Sequence, residues 1–160
     1  MSPVRIIRGM EVRPLSVADA PGVAAVFQRS RMASMPWLPV LHSDEEDRAF
    51  FAGEIDGGHA WGAFEGDRLT GFVIGGDGWI RHLYVAPEHQ CHGVGSALLD
   101  RALGDEPSPV HLWVFEANTR AIDFYRRRGF EAVERTEGKG NEEGLPDVRM
   151  RHPGPDSAPA

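Results

Sequence analysis

The chain has 160 residues, 41% of them hydrophobic and 26% charged, with a formal net charge of −7. That length supports one domain with a real core. The acidic balance argues against a nucleic-acid groove as the main activity, because phosphate contacts need a basic footprint. The single cysteine excludes an internal disulfide and fits a reducing compartment. No apolar run approaches the ~18 residues of a membrane span, and residues 1–8 lack the apolar core of a signal peptide. The expectation is a soluble, cytoplasmic protein with no membrane partner and no nucleic-acid partner.

Residues 1–9 read as a loose lead-in and residues 10–152 as a single domain. Residues 153–160, rich in Pro, Ala and Ser, read as a disordered tail. Residues 10–15 form a first strand. Ser16 or Asp19 caps a helix that tolerates Pro21 only in its first turn. Ala20, Val23, Ala24 and Phe27 then share one apolar face, to about Arg31. Two prolines break residues 32–42, an apolar and aromatic stretch. Ser43 and Glu46 form a capping box for a second helix, whose Ala49, Phe50 and Ile55 can face the core.

After Gly57-Gly58 come three strands, residues 59–64, 69–75 and 79–85, separated by turn signals at 65–68 and at Asp77-Gly78. Pro87 stops the last of them. Leu98, Leu99, Ala102 and Leu103 recur at helical spacing, with Gly104 offered as a C-terminal cap. Residues 110–115 are a buried strand. Asn118 caps a helix carrying Ala121, Ile122, Phe124 and Tyr125, and Gly129 ends it. Residues 130–135 and 148–151 are the last strands, joined by a polar loop at 137–147. The helix after the fourth strand forces a crossover, so strands four and five should run parallel. The fold class is α/β: a mixed, mostly antiparallel sheet of about seven strands, with about four helices on both faces.

Gly93 and Gly95 sit two apart between a strand and a helix. The first-turn N–H groups of a helix have no internal partner and the dipole there is positive, so residues 90–96 read as an anion site. A P-loop is set aside because no Lys follows. A dinucleotide fingerprint is set aside because the third glycine is missing. The run Leu83-Tyr84-Val85, followed by Gln90-Cys91-His92-Gly93-Val94-Gly95, resembles the GNAT superfamily of acyl-CoA-dependent N-acyltransferases, whose motif is Gln/Arg-x-x-Gly-x-Gly/Ala after a strand ending Leu-x-Val. Many members carry Gly where this chain has Cys91, which makes the loop less permissive. The resemblance extends to Asn118-Thr119-Arg120-Ala121-Ile122-Asp123-Phe124-Tyr125 and then Gly129-Phe130, and in element order to about residues 11–150.

The resemblance implies acetyl-CoA as acyl donor, with no metal. It implies a cofactor site at Leu83, Tyr84, Val85, Gln90, Cys91, His92, Gly93, Val94, Gly95, Ser96, Asn118, Ala121, Phe124 and Tyr125. Backbone N–H groups of residues 91–96 would hold the pyrophosphate. The Val85 main chain would pair with the pantetheine arm, and its N–H would face the developing oxyanion. Tyr125 would protonate the leaving thiolate, since a tyrosine hydroxyl is not ionised at neutral pH. No covalent enzyme intermediate is needed, so Cys91 is not required as a nucleophile. Cys91, His89 and His92 are too crowded in sequence for a usual zinc site.

The general base is less plain. Period-two alternation puts Trp79 and Arg81 on the face of Leu83 and Val85, and neither is a useful base. His82 falls on the opposite face unless a bulge re-aims it; it is carried as the catalytic candidate beside His42, Glu116, Glu142 and water. The acceptor wall is assigned to Trp37, His42, Arg81 and Asn141. Trp37 beside Glu142 and Glu143 suits a cation with an apolar part, and Arg81 suits a substrate carboxylate. The expected partner is a small-molecule or peptide amine, and a homodimer is admitted. The alternatives are a non-catalytic acyl-CoA-binding module or sensor, and an acetyltransferase acting on charged tRNA, which the net charge opposes although Arg126, Arg127 and Arg128 form a local basic patch.

Overall fold

Strand residues 110–115 alternate strictly: Val110, Leu112 and Val114 are buried, and Trp113 between them is exposed. A strand with two different faces has a covered side and an open one, and that division runs through this molecule. A computed structural model describes residues 6–7 and 9–154. The rest of the lead-in, residues 1–5 and 8, and residues 155–160 of the tail lie outside the described residues.

Eight strands form one sheet: β1 (Ile6–Ile7), β2 (Met10–Pro14), β3 (His59–Glu65), β4 (Arg68–Gly76), β5 (Trp79–Val85), β6 (Val110–Phe115), β7 (Glu131–Thr136) and β8 (Asp147–His152). Their order is β1-β2-β3-β4-β5-β6-β8-β7. The seven expected strands are all present, with the two-residue β1 added at the edge. Among the described residues, only β5 and β6 pair in parallel. The helices are α1 (Ala20–Ser34), α2 (Asp44–Gly57), α3 (Val94–Asp105) and α4 (Thr119–Arg126). No described helix is long and apolar enough to cross a membrane.

Each face has its own core. On one, Ala20, Val23 and Ala24 of α1 and Phe51 and Ile55 of α2 pack on Phe72 and Ile74 of β4. On the other, Leu98 and Leu99 of α3 and Tyr125 of α4 pack on Val73, Ile80, Leu112 and Met150. The Ser43 capping box is formed, and Asn118 caps α4 by accepting from the Ala121 N–H at 3.3 Å.

Three local expectations are corrected. In α2 it is Phe51, with Ile55 four residues on, that faces the core; Ala49 and Phe50 are exposed. Phe50 lies outside against Phe51 and His82. Gly104 does not cap α3: the helix continues through it to Asp105, and the next residue, Glu106, turns inward. Its buried carboxylate accepts from the Gly78 N–H at 3.0 Å and pairs with His59 at 2.6 Å. The third correction is in β5. Ile74 pairs with His82 but Gly75 pairs with Ile80, so Arg81 is an extra, bulged residue. Ile80, not Trp79 and Arg81, therefore joins Leu83 and Val85 on the α3 face. His82 stays opposite, against α2.

The bulge precedes the main event in the sheet. The ladder between β5 and β6 is confined to Trp79 and His111, with the His111 N–H donating to Gly78 C=O at 2.9 Å. A bulge bends its strand and increases its twist, and beyond it β5 leaves β6. The Ala86 N–H donates to Thr70 C=O at 2.8 Å. By antiparallel alternation, Tyr84 and Ala86 hydrogen-bond towards β4, while the N–H and C=O groups of Leu83 and Val85 point into the gap.

Three backbone positions shape the loop at 90–96 and the helix behind it. A Cβ on Gly71 would lie 3.1 Å from Tyr84 C=O and 3.2 Å from both Val94 and Leu98 side chains, so the missing side chain is what lets α3 sit close on β4. Gly93, the N-cap of α3, has φ +86°, and Cys91 has φ +65°. The left-handed region suits glycine and costs other residues roughly 1–2 kcal/mol. Gly71→Val is expected to destabilise the fold by about 1–3 kcal/mol, seen as a melting temperature lower by several degrees. Cys91→Gly relieves strain but frees the unfolded chain, a cost of roughly 0.5–1 kcal/mol. The expected net is a gain of up to about 1 kcal/mol; an unchanged or lower melting temperature would show that the contacts of Cys91 outweigh its strain.

Candidate active site

The parting of β5 and β6 leaves two cavities that meet in the gap. The larger, about 870 Å³, lies on the side of the anion loop. The smaller, about 200 Å³, lies between the ends of β5, β6 and β8. Both are lined by Met35, Leu83, Tyr84, Asn118, Ala121 and Tyr125. A molecule on one side therefore reaches a molecule on the other between the Leu83–Val85 backbone and the inner face of α4.

Of the residues expected to hold a cofactor, Leu83, Tyr84, Val85, Asn118, Ala121, Phe124 and Tyr125 line the larger cavity, and so do Gln90, Cys91, Gly93, Gly95 and Ser96. His92 and Val94 are not among its walls: His92 is exposed, and Val94 is buried beneath the loop. Gln90 does not reach outward. Its amide donates to Val85 C=O at 3.0 Å and to Ser34 Oγ at 3.4 Å, tying the loop to β5 and α1. The N–H groups of Val94, Gly95 and Ser96, in the first turn of α3, have no acceptor within the helix.

Three arginines also line this cavity: Arg120, Arg127 and Arg128. Arg128 is held in place. It donates to Phe124 C=O at 3.2 Å and to Ser96 Oγ, and its guanidinium lies 4.1 Å from the Phe124 ring centre. Arg120 donates to Cys91 Sγ at 3.4 Å. Sequence reasoning treated 126–128 as a surface patch and passed over Arg120. The available signal was spacing: 120 and 127 are seven apart, nearly two helical turns, and so share a face.

Tyr125 is buried, and its hydroxyl has no hydrogen-bond partner among the described residues. Burial pushes its ionisation well above the usual tyrosine value, and Tyr84 nearby adds to the shift. Tyr84 is pushed up to about 12, also by burial. Both hydroxyls therefore keep their protons at neutral pH.

His82 lines the smaller cavity, but its imidazole is bonded to Glu54 of α2, Nε2 to Oε1 at 2.8 Å. Burial, stronger than the attraction of Glu54, lowers its pKa and keeps it neutral. Arg81 and Asn141 also line this cavity. Asn141 is used up in shaping its loop, donating to Leu145 C=O and Asp147 and accepting from the Leu145 N–H. Arg81 lies 3.9 Å from Glu54 and 3.6 Å from Asp77. Trp37 and His42 are not among the walls. Trp37 meets Phe115, which is, edge-on at 6.0 Å. His42 reaches Glu142 at 2.8 Å, linking the α1–α2 loop to the loop before β8, and that bond raises its pKa. Glu116 is bound to Arg135, which lowers its pKa, and it lines neither cavity.

Comparisons with known proteins agree with this geometry. Residues 27–130 match the family described as Acetyltransferase (GNAT) family. A probable N-acetyltransferase of Mycobacterium tuberculosis is 46% identical over 58 residues, 36% of this chain and 33% of the relative. An uncharacterized N-acetyltransferase of Methanocaldococcus jannaschii is 30% identical over 127 residues, 70% of this chain and 51% of the relative. The matches thus span from a third to about half the length of these curated relatives. Among solved structures, a GCN5-related N-acetyltransferase from Rhodopseudomonas palustris superposes with a TM-score of 0.76 at 24% identity, covering 94% of this chain and 99% of that one. A PaiA N-acetyltransferase of Thermoplasma acidophilum, solved in complex with coenzyme A, gives 0.69 at 21% identity over 90% and 98%. The chain belongs to the Acetyltransferase (GNAT) family, and its fold is that of the solved GCN5-related N-acetyltransferase.

Proposed function

We propose that the protein transfers an acetyl group from acetyl-CoA to a primary amine, of a small molecule or an exposed peptide, by direct attack in a ternary complex. The observation that carries this reading is the meeting of the two cavities at Leu83, Tyr84, Asn118 and Tyr125. The larger cavity suits the donor. The free N–H groups at the start of α3 and the guanidinium groups of Arg120, Arg127 and Arg128 suit a pyrophosphate. The gap-facing backbone of Leu83 and Val85 suits an extended amide-bearing arm. The Val85 N–H suits the oxyanion of the tetrahedral intermediate, since a fixed donor needs no reorganisation as charge develops.

The smaller cavity suits the acceptor, with Arg81 and Asn141 in its wall and Trp37 behind Phe115 of that wall. The amine nitrogen forms a bond to the thioester carbon, the C–S bond breaks, and Tyr125 gives its proton to the departing sulfur. His82, neutral and backed by Glu54, takes the proton the incoming amine loses. The alternative, a non-catalytic acyl-CoA sensor, draws on the absence of a carboxylate from β5; the tyrosine retained at 125 and the second cavity beside it favour the transferase.

Thiol release from acetyl-CoA across a panel of primary amines tests the reaction. Tyr125→Phe should lower kcat by about 100-fold with acetyl-CoA affinity retained; an unchanged kcat removes the residue from the mechanism. Because its pKa is raised, Tyr125 stays protonated through the working range. No alkaline loss of kcat traceable to this residue is expected below about pH 10. A decline centred below that value, absent from the Phe variant, would contradict the assignment. Gly93→Trp should abolish thermal stabilisation by acetyl-CoA, since it strains the left-handed N-cap and fills the mouth of the larger cavity; stabilisation that persists would remove the anion loop from the donor site.

A further inference from the structure

We propose that Asp147 receives the reacting ammonium group of the acceptor, and that the acceptor carries this group on an apolar or aromatic body. The inference rests on reading the smaller cavity as the acceptor side, and concerns a residue that no motif singles out. Asp147 opens β8, opposite Phe115 of β6 and Thr136 of β7. It lines the smaller cavity, which it shares with Tyr125 and Asn118.

Its carboxylate is positioned but not neutralised. One oxygen accepts from the Thr136 hydroxyl; the other accepts from the Asn141 amide at 3.1 Å. Thr136 is itself fixed by accepting from the Gly138 N–H at 3.1 Å. A carboxylate has about four acceptor positions, so capacity remains towards the cavity. No cation pairs with Asp147 among the described residues. Its neighbours of like orientation on β8, Arg149 and Arg151, are drawn to Glu134 and Glu131. Across the cavity, Arg81 faces Glu54 and Asp77. His82 is bonded to Glu54, and the nearby His42 to Glu142.

Glu54, Glu142 and Glu143 are already engaged. Glu54 holds His82 and Arg81, Glu142 holds His42, and Glu143 lies 3.9 Å from Arg31. An anion held by neutral donors in a cleft attracts a cation more strongly than one on the open surface, because water screens it less. The adjoining walls are Leu112, Trp113 and Phe115. Trp113 is 44% exposed, an area that an apolar or aromatic group would cover. The cavity, about 200 Å³, equals roughly seven waters at ~30 Å³ each, the scale of a small amine or one side chain.

The probes are phenethylamine and 2-phenylethanol, titrated calorimetrically into the full chain loaded with CoA at pH 7. The amine is expected to bind at least tenfold tighter than the alcohol, and Asp147→Asn should erase that preference while leaving CoA affinity unchanged. The preference should also shrink as pH rises towards the ionisation of the amine itself, which a merely structural Asp147 would not produce. Asp147→Ser reads the same ratio should the Asn variant fail to fold. Equal binding of both probes to the native chain, no binding of the amine at millimolar concentration, or a preference that survives the substitution would each overturn the proposal. Acetyl transfer to phenethylamine is followed separately. Turnover with an unaltered preference in the variant retires Asp147 alone. Selective binding without turnover of any amine retires the transferase reading and keeps the site.

Discussion

One hydrogen-bonded contact between two parallel strands, and its failure to continue, sets the architecture of the site. β5 and β6 are joined at Trp79 and His111 and then part. A continuous parallel ladder would have bonded the N–H and C=O groups of Leu83 and Val85 to β6. The divergence leaves them facing a gap, where backbone groups demand a partner; the Val85 C=O finds one in the Gln90 amide. The fold thus leaves the remaining backbone groups of Leu83 and Val85 open at one place, beside Asn118, Tyr125 and the loop at 90–96. Beside that opening the packing is tight: α3 rests on Gly71, and the loop ahead of it is pinned by Gln90 to Val85.

The order of elements could be read from residue types because each local signal agreed with its neighbours. Ser43 with Glu46 and Asn118 with Ala121 behave as capping rules require. The apolar alternation at 110–115 reports its two faces directly. The corrections share a cause: in each, a local rule met a tertiary fact that it could not contain. Period-two counting through β5 failed at Arg81, because the bulge adds a residue that alternation cannot anticipate. Helical counting in α2 chose Phe50 over its neighbour Phe51, both plausible by size; the turn in which Phe51 and Ile55 meet Phe72 is fixed only by packing. Gly104 was a fair stop signal, overridden by the buried carboxylate of Glu106 and its bonds to Gly78 and His59.

The larger cavity was more legible in the sequence than the smaller one, and the difference is physical. Backbone donors at a helix start need only a turn and a glycine or two, features written in consecutive residues. The smaller cavity is assembled largely from β5, β6, the loop before β8 and the start of β8, distant in sequence, and no spacing rule links them. Histidines and carboxylates there also have several roles open to them. Pairing decides which are free, and pairing is a tertiary fact: Glu54 with His82, Glu142 with His42 and Glu116 with Arg135 are all cross-element contacts.

Net charge illustrates the same limit from another direction. A chain at −7 would be expected to repel a polyanion, yet Arg120, Arg127 and Arg128 line one cavity, at the positive end of α3. Coulomb interactions between exposed charges fade beyond roughly 8–10 Å at physiological salt. A bound anion therefore responds to the nearest guanidinium groups and helix end rather than to the sum over the chain. Arg128 is fixed by Ser96 and the Phe124 ring before any ligand arrives, so little side-chain freedom remains to be lost on binding. In the smaller cavity the pairing differs. Arg81, Arg149 and Arg151 each face carboxylates, while Asp147 is held by neutral donors. The larger cavity therefore gathers three guanidinium groups, while the smaller one sets a carboxylate without a cationic partner among the described residues against an arginine that faces other carboxylates.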